Sequence, residues 1–258
     1  MWWGSWKSRT LVDALNADVQ DKNIQDVTWA YSVPEDGNGN TTSPGDDAIA
    51  VGVIYNSQAV TPTGAAATKT DGAFATANRA PVMQTFEDSN GETFSVVVNH
   101  FKSKGSVVNG EDAIGDGQAN NNPTRVEAAE ELLEWLSTNP TGSNDSDVLI
   151  LGDLNSYAME DPIMTLTDAG YTFQDDDYSY VFDGFWGSLD HALASETLAT
   201  QVTGTTTWHI NADEASALDY NTDFTNDRQD DNLYADDAFR SSDHDPILVG
   251  LNLGLAEA

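Results

Sequence analysis

The chain of 258 residues contains no cysteine and only 10 lysine and arginine residues, against 43 aspartate and glutamate residues. Without cysteine it has no disulfide, no thiolate metal site and no cysteine nucleophile. No apolar run approaches the roughly 18 residues of a membrane span, and the first residues lack the apolar core of a signal peptide. The length and the aromatic content predict one large globular domain over residues 1–258.

The formal net charge of −33 is the most extreme feature of the composition. An acidic surface is typical of adaptation to high salt, since at about 1 M salt the Debye length is only roughly 3 Å and self-repulsion is screened. The acidic residues are dispersed without EF-hand spacing, which disfavours a role in calcium storage. Taken alone, the charge argues against a nucleic-acid partner.

The segment Val148–Tyr157, VLILGDLNSY, is the centre of the predicted fold. Its short apolar run followed by glycine is typical of a strand buried on both faces. Asp153 and Asn155 then lie at the carboxyl end of that strand, where open α/β sheets place their sites. The simpler interpretation is an Asx turn that ends a core strand, and a lone G-D-x-N motif does not exclude it.

Hydrophobic periodicity along the rest of the chain predicts a mixed, layered α/β (α+β) domain. Predicted helices cover 9–20, 123–136 with Asn122 as N-cap, and 161–169. The other predicted strands cover 27–33, 48–55, 81–87, 93–99, 189–194, 201–208 and 246–253. Strands 81–87 and 93–99 are expected to form a hairpin, whereas 61–78 is expected to be a surface excursion.

Histidine and carboxylate residues gather at predicted strand ends. For any single histidine, a structural role is the simpler interpretation, but several such ends together indicate a site. The candidate residues are His100, Asp153, Asn155, Asp190, His191, Asp243 and His244. Oxygen and imidazole donors without sulfur favour Mg²⁺, Mn²⁺ or Ca²⁺ over structural zinc. A divalent cation of this kind, bound beside histidine and carboxylate residues, is typical of enzymes that hydrolyse phosphate esters.

The few basic residues also concentrate near these motifs. They are Arg79, Lys102, Lys104, Arg125 and Arg240. Arg125 lies in the first turn of a predicted helix, where the helix dipole disfavours a cation. Either this placement is chance, or an electropositive cleft lies within an acidic shell and accepts a polyanionic substrate.

Five motifs in order carry a resemblance to a known family: NRAPVMQTF, VVVNHFKSKGS, VLILGDLNSY, SLDHALAS and SSDHDPILVGL. Together they resemble the endonuclease/exonuclease/phosphatase superfamily, and most of all its bacterial extracellular nucleases. The resemblance implies a deoxyribonuclease I-like fold, a layered β-sandwich of two mixed sheets flanked by helices. It also implies a secreted, monomeric enzyme that hydrolyses phosphodiester bonds in DNA, with RNA as a further candidate substrate.

The resemblance implies roles for individual residues. Asp153 and Asn155 would activate the attacking water, and His244, oriented by Asp190, would contact the scissile phosphate together with His100. Asp243 and Asp153 would bind Mg²⁺ or Mn²⁺, with Ca²⁺ as a further candidate. Backbone phosphates would be bound by Arg79, Lys102 and Lys104, and the placement of Arg125 among the few basic residues adds it as a further candidate.

One departure from the family pattern affects these expectations. Members normally begin with strands that carry an asparagine and a metal-binding glutamate, and Glu35 is no convincing substitute. The sequence therefore predicts an N-terminally truncated domain without its first strands. The alternatives are a phosphatase or phospholipase of the same fold, or a catalytically impaired remnant. No exposed aromatic hairpin for membrane insertion is expected, which disfavours a lipid substrate.

Overall fold

The computed structural model describes residues 3–36, 38–45, 49–174, 177–218, 226–235 and 237–254. Within these ranges the α-helices are α1 Trp3–Asp21, α2 Asn122–Ser137, α3 Asp161–Asp168, α4 Glu196–Ala199 and α5 Asp227–Leu233. The strands are β1 Trp29–Tyr31, β2 Ile54–Asn56, β3 Thr61–Thr68, β4 Arg79–Glu87, β5 Thr93–His100, β6 Val148–Asp153, β7 Thr172–Phe173, β8 Tyr180–Phe182, β9 Phe185–Gly187, β10 Asp190–Ala194, β11 Val202–Thr207 and β12 Ile247–Leu251. None of the helices in these ranges has the length and apolar character that a membrane crossing needs.

The central sheet, as far as the chain is described, has six strands in the order β3-β4-β5-β6-β10-β7. Strands β5 and β6 run parallel, and the neighbouring pairs around them run antiparallel. Parallel neighbours need a long crossover, and here helix α2 lies in the connection between them. The fold is therefore a mixed α/β fold with a central mixed sheet and flanking helices.

One face of this sheet packs against α2 and α3. Leu132 from α2 and Ile163 and Leu166 from α3 form one core with Ile150 and Leu193 of the sheet, and all five are fully buried. Each such side chain stabilises the fold by roughly 1.5–3 kcal/mol relative to exposure. The helices thereby fix strands β6 and β10 beside each other.

The other face of the sheet is covered by two antiparallel pairs. The pair β11–β12 packs its apolar side chains, including Ile247 and Val249, over Leu149 and Ala192. The pair β1–β2 lies on the β4–β5 side, where Tyr55 packs against Phe86 with ring centroids 5.1 Å apart. The resemblance implied a second mixed sheet, but the described residues form two separate antiparallel pairs on this face.

Several sequence predictions are confirmed and others need correction. The hairpin β4–β5, helix α3 and strands β10, β11 and β12 lie where they were predicted. The region 61–78 is not a surface excursion, because β3 pairs with β4 as an edge strand and tolerates Pro62 there. Helix α2 has Asn121, not Asn122, at its N-cap. The strand predicted over 48–55 is confined to β2, and residue 48 lies outside the described residues.

Candidate active site

Four neighbouring strands bring candidate residues into one row at one end of the central sheet. Arg79 of β4 pairs with His100 of β5, and His100 pairs with Asp153 of β6. Asp153 in turn pairs with Asp190 of β10. Strand register therefore assembles four residues that lie far apart in sequence, and the strands hold them about 4.8 Å apart in steps across the sheet.

Side-chain alternation places the two aspartates on the sheet face that β11–β12 covers. Leu149 and Leu151 of β6 point to that face, and Asp153 continues the same parity. Asp190 shares the parity of Ala192, whereas His191 points to the opposite face. His191 is buried there, with its ring Nε2 2.6 Å from the carbonyl oxygen of Ser156, so it has a structural role.

Gly152 allows strands β5 and β6 to approach closely beside this row. Its φ is +126°, and a Cβ atom at this position would lie 2.0 Å from the carbonyl oxygen of Asn99. Such a contact is impossible without moving the backbone, and L-residues rarely adopt this φ. The glycine in the GDLN motif is therefore required for the pairing of His100 with Asp153.

Asn155 ends the strand in a tight turn that fixes the Asp153 carboxylate. Its backbone N–H donates to Asp153 Oδ1 at 2.8 Å, and its Nδ2 donates to Asp153 Oδ2 at 3.0 Å. The same Nδ2 donates to the carbonyl oxygen of Phe101 at 3.0 Å, and Asn155 has a φ of 49°. The Asx-turn interpretation of this motif is therefore confirmed, and the turn holds the Asp153 carboxylate in place at the end of the strand.

His244 and Asp190 form a carboxylate–imidazole pair next to Asp153. His244 Nδ1 lies 2.6 Å from Asp190 Oδ2, which also accepts a hydrogen bond from Ser179 Oγ at 2.7 Å. The ring of Tyr180 lies 4.6 Å from the His244 ring, centroid to centroid. Because Asp190 occupies Nδ1, the pair directs Nε2 of His244 away from the carboxylate.

The environment changes the pKa values of His244 and Asp153. Burial opposes the charged form of His244, but the hydrogen bond and the charge of Asp190, assisted by Asp153 and Asp243, raise the pKa of His244 to about 9. Burial and then the charge of Asp190 raise the pKa of Asp153 to about 7, against the opposing effect of His244. At neutral pH the site therefore holds an imidazolium beside a carboxyl group that can exchange a proton.

The two carboxylates and the imidazole could hold a metal ion. One ligand atom from each of Asp153, Asp190 and His244 lies within 4.8 Å of the others. Asp243, which the resemblance implied as a metal ligand, is not in this cluster of described residues. It is exposed and acts on Asp153 and His244 through its charge.

Two of the expected phosphate-binding residues lie together near the row. Arg79 is half-buried and lines a cavity of about 540 Å³ with Asn78. Lys102 is held by its backbone N–H, which donates to Asn78 Oδ1 at 2.8 Å. The bond to Asn78 places Lys102 next to Arg79, and burial and then the like charges of Arg79 and Arg125 lower the pKa of Lys102.

Arg125 is a correction to the predicted phosphate site, whereas phosphate binding by Lys104 stays a prediction. Arg125 is fully buried, so its guanidinium cannot meet a substrate, and it donates instead to Ser156 Oγ and the carbonyl oxygens of Gln118, Asn120 and Lys102. Lys104 is engaged by the buried carboxylate of Glu160. Burial lowers the pKa of Lys104, and Glu160 opposes that change. Both cations hold the loops that surround the Asn155 turn.

The hairpin β8–β9, which contacts the His244–Asp190 pair through Tyr180, was not among the predicted strands. Its two-residue turn, Asp183–Gly184, has φ values of 50° and 80°. An Asp-Gly dipeptide between alternating aromatic residues is a known hairpin signal and could have revealed it. Phe185 and Trp186 on this hairpin are 79% and 69% exposed. An exposed aromatic hairpin is therefore present, contrary to expectation, while the expectation that no such hairpin inserts into a membrane stays a prediction.

Solved structures with a similar fold share little sequence with this chain. An endonuclease/exonuclease/phosphatase from Bacteroides vulgatus is 14% identical, with 92% of this chain and 81% of that chain covered and a TM-score of 0.50. A family protein from Bacteroides thetaiotaomicron is 13% identical, with 70% and 66% covered and a TM-score of 0.46. A mannosyl-6-phosphatase from the same species is 14% identical, with 70% and 68% covered and a TM-score of 0.45.

The similarity to the Bacteroides vulgatus structure supports the fold, and a family model shows the family. Among curated proteins, none matches the sequence significantly. The model of the Endonuclease/Exonuclease/phosphatase family matches residues 10–244, which include the whole row and His244. This family hydrolyses phosphate esters and generally depends on divalent metal ions. The chain belongs to the endonuclease/exonuclease/phosphatase family.

Proposed function

We propose that this protein is a divalent-metal-dependent phosphodiesterase that cleaves DNA, with RNA as a further substrate. The observation that carries the proposal is the row from Arg79 through His100 and Asp153 to Asp190, with His244 held 2.6 Å from Asp190. The row joins a cation at one end to an acid–base pair at the other. Phosphodiester hydrolysis needs both, because it requires charge neutralisation and an activated water.

Each residue of the cluster has a role that follows from its contacts. Asp153, oriented by Asn155, removes a proton from the attacking water. His244 carries a positive charge at neutral pH and stabilises the negative charge that develops on the phosphate. Asp190 keeps that imidazolium protonated and oriented, as carboxylate–imidazole pairs do in other hydrolases.

The donor set also fits a hard divalent cation. The carboxylates of Asp153 and Asp190 lie beside each other, and the charge of Asp190 raises the pKa of Asp153. Oxygen donors of this kind suit Mg²⁺ or Mn²⁺, and Ca²⁺ less closely because it prefers more ligands. Because a protonated His244 has no free lone pair at either nitrogen, we assign cation binding to Asp153 and keep His244 with Asp190. A bound cation supplies neutralisation of charge on the phosphate oxygens.

The basic residues near the site support a phosphodiester within a polymer as the substrate. Arg79 and Lys102 lie near one end of the row, beside His100, and provide cations for a phosphate adjacent to the scissile one. A chain with a net charge of −33 that keeps two cations together at its site suits an anionic substrate with more than one phosphate.

The proposal is tested with supercoiled plasmid, single-stranded oligonucleotides and small phosphomonoesters, each with Mg²⁺, Mn²⁺ or Ca²⁺ and with EDTA. We expect EDTA-sensitive cleavage of the nucleic acids, with kcat reduced on the order of 10²–10⁴ in His244→Asn. Glu92→Gln is a control variant, because Glu92 is exposed near the opposite end of β5. Cleavage of phosphomonoesters alone would favour a phosphatase, and no turnover with any of these cations would favour the impaired remnant.

A further inference from the structure

An aromatic cavity lies between the β8–β9 hairpin and the loop that follows Asn155. It has a volume of about 500 Å³, and the residues that line it include Tyr157, Asp177, Tyr178, Trp186, Gly187 and Ser188. This volume lies within the range of small-ligand sites. Gly187 lets the hairpin approach the loop, since a Cβ atom there would lie 2.5 Å from Tyr157 Cε1.

One wall of the cavity is a set of stacked rings. Tyr178 stacks on Trp186, with centroids 5.3 Å apart and planes 18° apart. Tyr178 also stacks on His209, at 4.0 Å and 11°. His209 is held between Asp177 and Asp245, each 3.1 Å from a ring nitrogen. The wall is therefore a preorganised flat surface, although Trp186 itself is 69% exposed.

This cavity adjoins the catalytic pair. Ser188, which lines it, shares a hydrogen bond of 3.1 Å with Ser179, and Ser179 donates to Asp190. Tyr180, the first residue of the same hairpin, contacts the His244 ring. The cavity is thus connected to the His244–Asp190 pair through the hydrogen bonds of Ser188 and Ser179.

We propose that the aromatic cavity binds a nucleobase of the substrate strand, next to the scissile phosphate, by stacking on Trp186. The proposal rests on the proposed function and names the subsite that it lacks. A base has a flat face on either side of its ring, so it can extend a stack of Tyr178 and Trp186 whatever its sequence. The neighbouring nucleotide then directs its phosphate to His244.

A lipid surface fits this hairpin less well than a base does. The turn that would enter a membrane first is Asp183–Gly184, and inserting a carboxylate into the apolar layer is costly. Asp177 also lines the cavity, and the net charge of −33 repels anionic membranes. Stacked rings that are fixed by a histidine between two aspartates match a planar ligand instead.

Stacking also suits the charge of this protein. Phosphate contacts release counterions and weaken steeply as salt rises. A chain with only 10 basic residues has few such contacts to lose, whereas a stacked base releases no counterions. The cavity would therefore keep the substrate bound under conditions where Arg79 and Lys102 bind it weakly.

The test measures binding of labelled, short single-stranded oligonucleotides in EDTA, and their cleavage with Mg²⁺. One base at a time is replaced by an abasic residue along the strand. We expect one position next to the cleaved bond where base removal weakens wild-type binding by about 5- to 150-fold, the range of base–aromatic stacking. In Trp186→Ala that difference should fall to near unity, and Trp186→Phe should restore part of it.

Trp208→Ala is the matched control, because Trp208 is 56% exposed but is not among the described residues that line the cavity. It should keep the discrimination against the abasic residue. The discrimination should also be equal at about 0.15 M and about 1 M salt, while total affinity falls with salt.

Two results would overturn the subsite, and they differ from failure of the proposed function. If the wild type binds and cleaves oligonucleotides but no abasic position matters, the subsite is refuted while the nuclease activity stands. If Trp186→Ala instead abolishes cosedimentation with phosphatidylcholine vesicles and leaves base discrimination intact, the hairpin binds lipid. If no oligonucleotide is bound or cleaved at all, both proposals fall together.

Discussion

Replacing Asp190 by asparagine removes the charge that holds His244 protonated while leaving a side chain of the same shape. In the wild type, the pKa of His244 rises from its ordinary value of 6.5 to about 9 against the effect of burial. This rise corresponds to roughly 3 kcal/mol of interaction. In Asp190→Asn we expect the pKa of His244 to fall toward 6.5, because burial remains and only Asp153 and Asp243 still favour the imidazolium.

Stability and activity should follow the same change. The raised pKa of His244 stabilises the folded state fully below pH 6.5, and this contribution is lost as pH rises through about 9. Asp190→Asn should therefore lose up to roughly 3 kcal/mol at pH 6, reduced by the relief of repulsion on Asp153. Catalysis should fall on the order of 10²–10⁴, with the remaining activity confined to lower pH.

The assay is histidine NMR titration of the metal-free protein, which is practical because the chain has only four histidines. Asp177→Asn is the matched control, since Asp177 accepts from His209 and not from His244. It should lower the pKa of His209 and leave that of His244 unchanged. A His244 pKa near 6.5 in the wild type, or one that stays near 9 in Asp190→Asn, would refute the reasoning.

Three further perturbations test other parts of the site. Asp153→Asn should raise the free energy of unfolding in EDTA at pH 8 by up to about 4 kcal/mol, because the raised pKa of Asp153 makes its ionised form unfavourable in the folded state above pH 7. Chemical denaturation measures this change, and Mg²⁺ should stabilise only the wild type. A variant less stable than the wild type would contradict the expectation. Gly152→Ala should prevent folding or destabilise by more than about 3 kcal/mol, since its Cβ would collide with Asn99, and a circular dichroism melt like that of the wild type would disprove the close approach. Arg125→Met should destabilise by roughly 3–5 kcal/mol, because it leaves buried carbonyl oxygens without donors, whereas the exposed Arg228→Met should change stability by less than about 0.5 kcal/mol in the same melts.

The parts of the fold that the sequence predicted correctly are those with a strong local signal. Strand β6 was visible because a strand buried on both faces needs an unbroken apolar run, and its carboxyl end located Asp153. Helix α3 was visible from Asp161–Pro162 and the apolar spacing that follows. The ordered motifs then related Asp153 to Asp190 and His244, a relation that no local pattern contains.

The parts that were missed depend on distant partners. Strand β3 has few bulky residues, and it is a strand because β4 offers it a hydrogen-bonding edge. Arg125 was predicted as a substrate contact because it is one of the few basic residues near the motifs and lies in a first helical turn, but several carbonyl oxygens from one loop accept its hydrogen bonds in the interior. Whether a charged side chain can be buried depends on whether a loop places acceptors around it, and hydrophobic periodicity does not predict the path of a loop.

The row of paired residues has a consequence for how this site can change through insertion and deletion. Arg79, His100, Asp153 and Asp190 meet only because four strands keep one alignment. Shifting β10 by a single residue would bring His191 opposite Asp153 and turn Asp190 to the helical face. The loops can therefore accept insertions of different lengths, whereas a single residue inserted within one of these strands would move the site residues to the other face of the sheet. The geometry of the site depends on strand register, and only shifts by an even number of residues would keep its side chains on the same face.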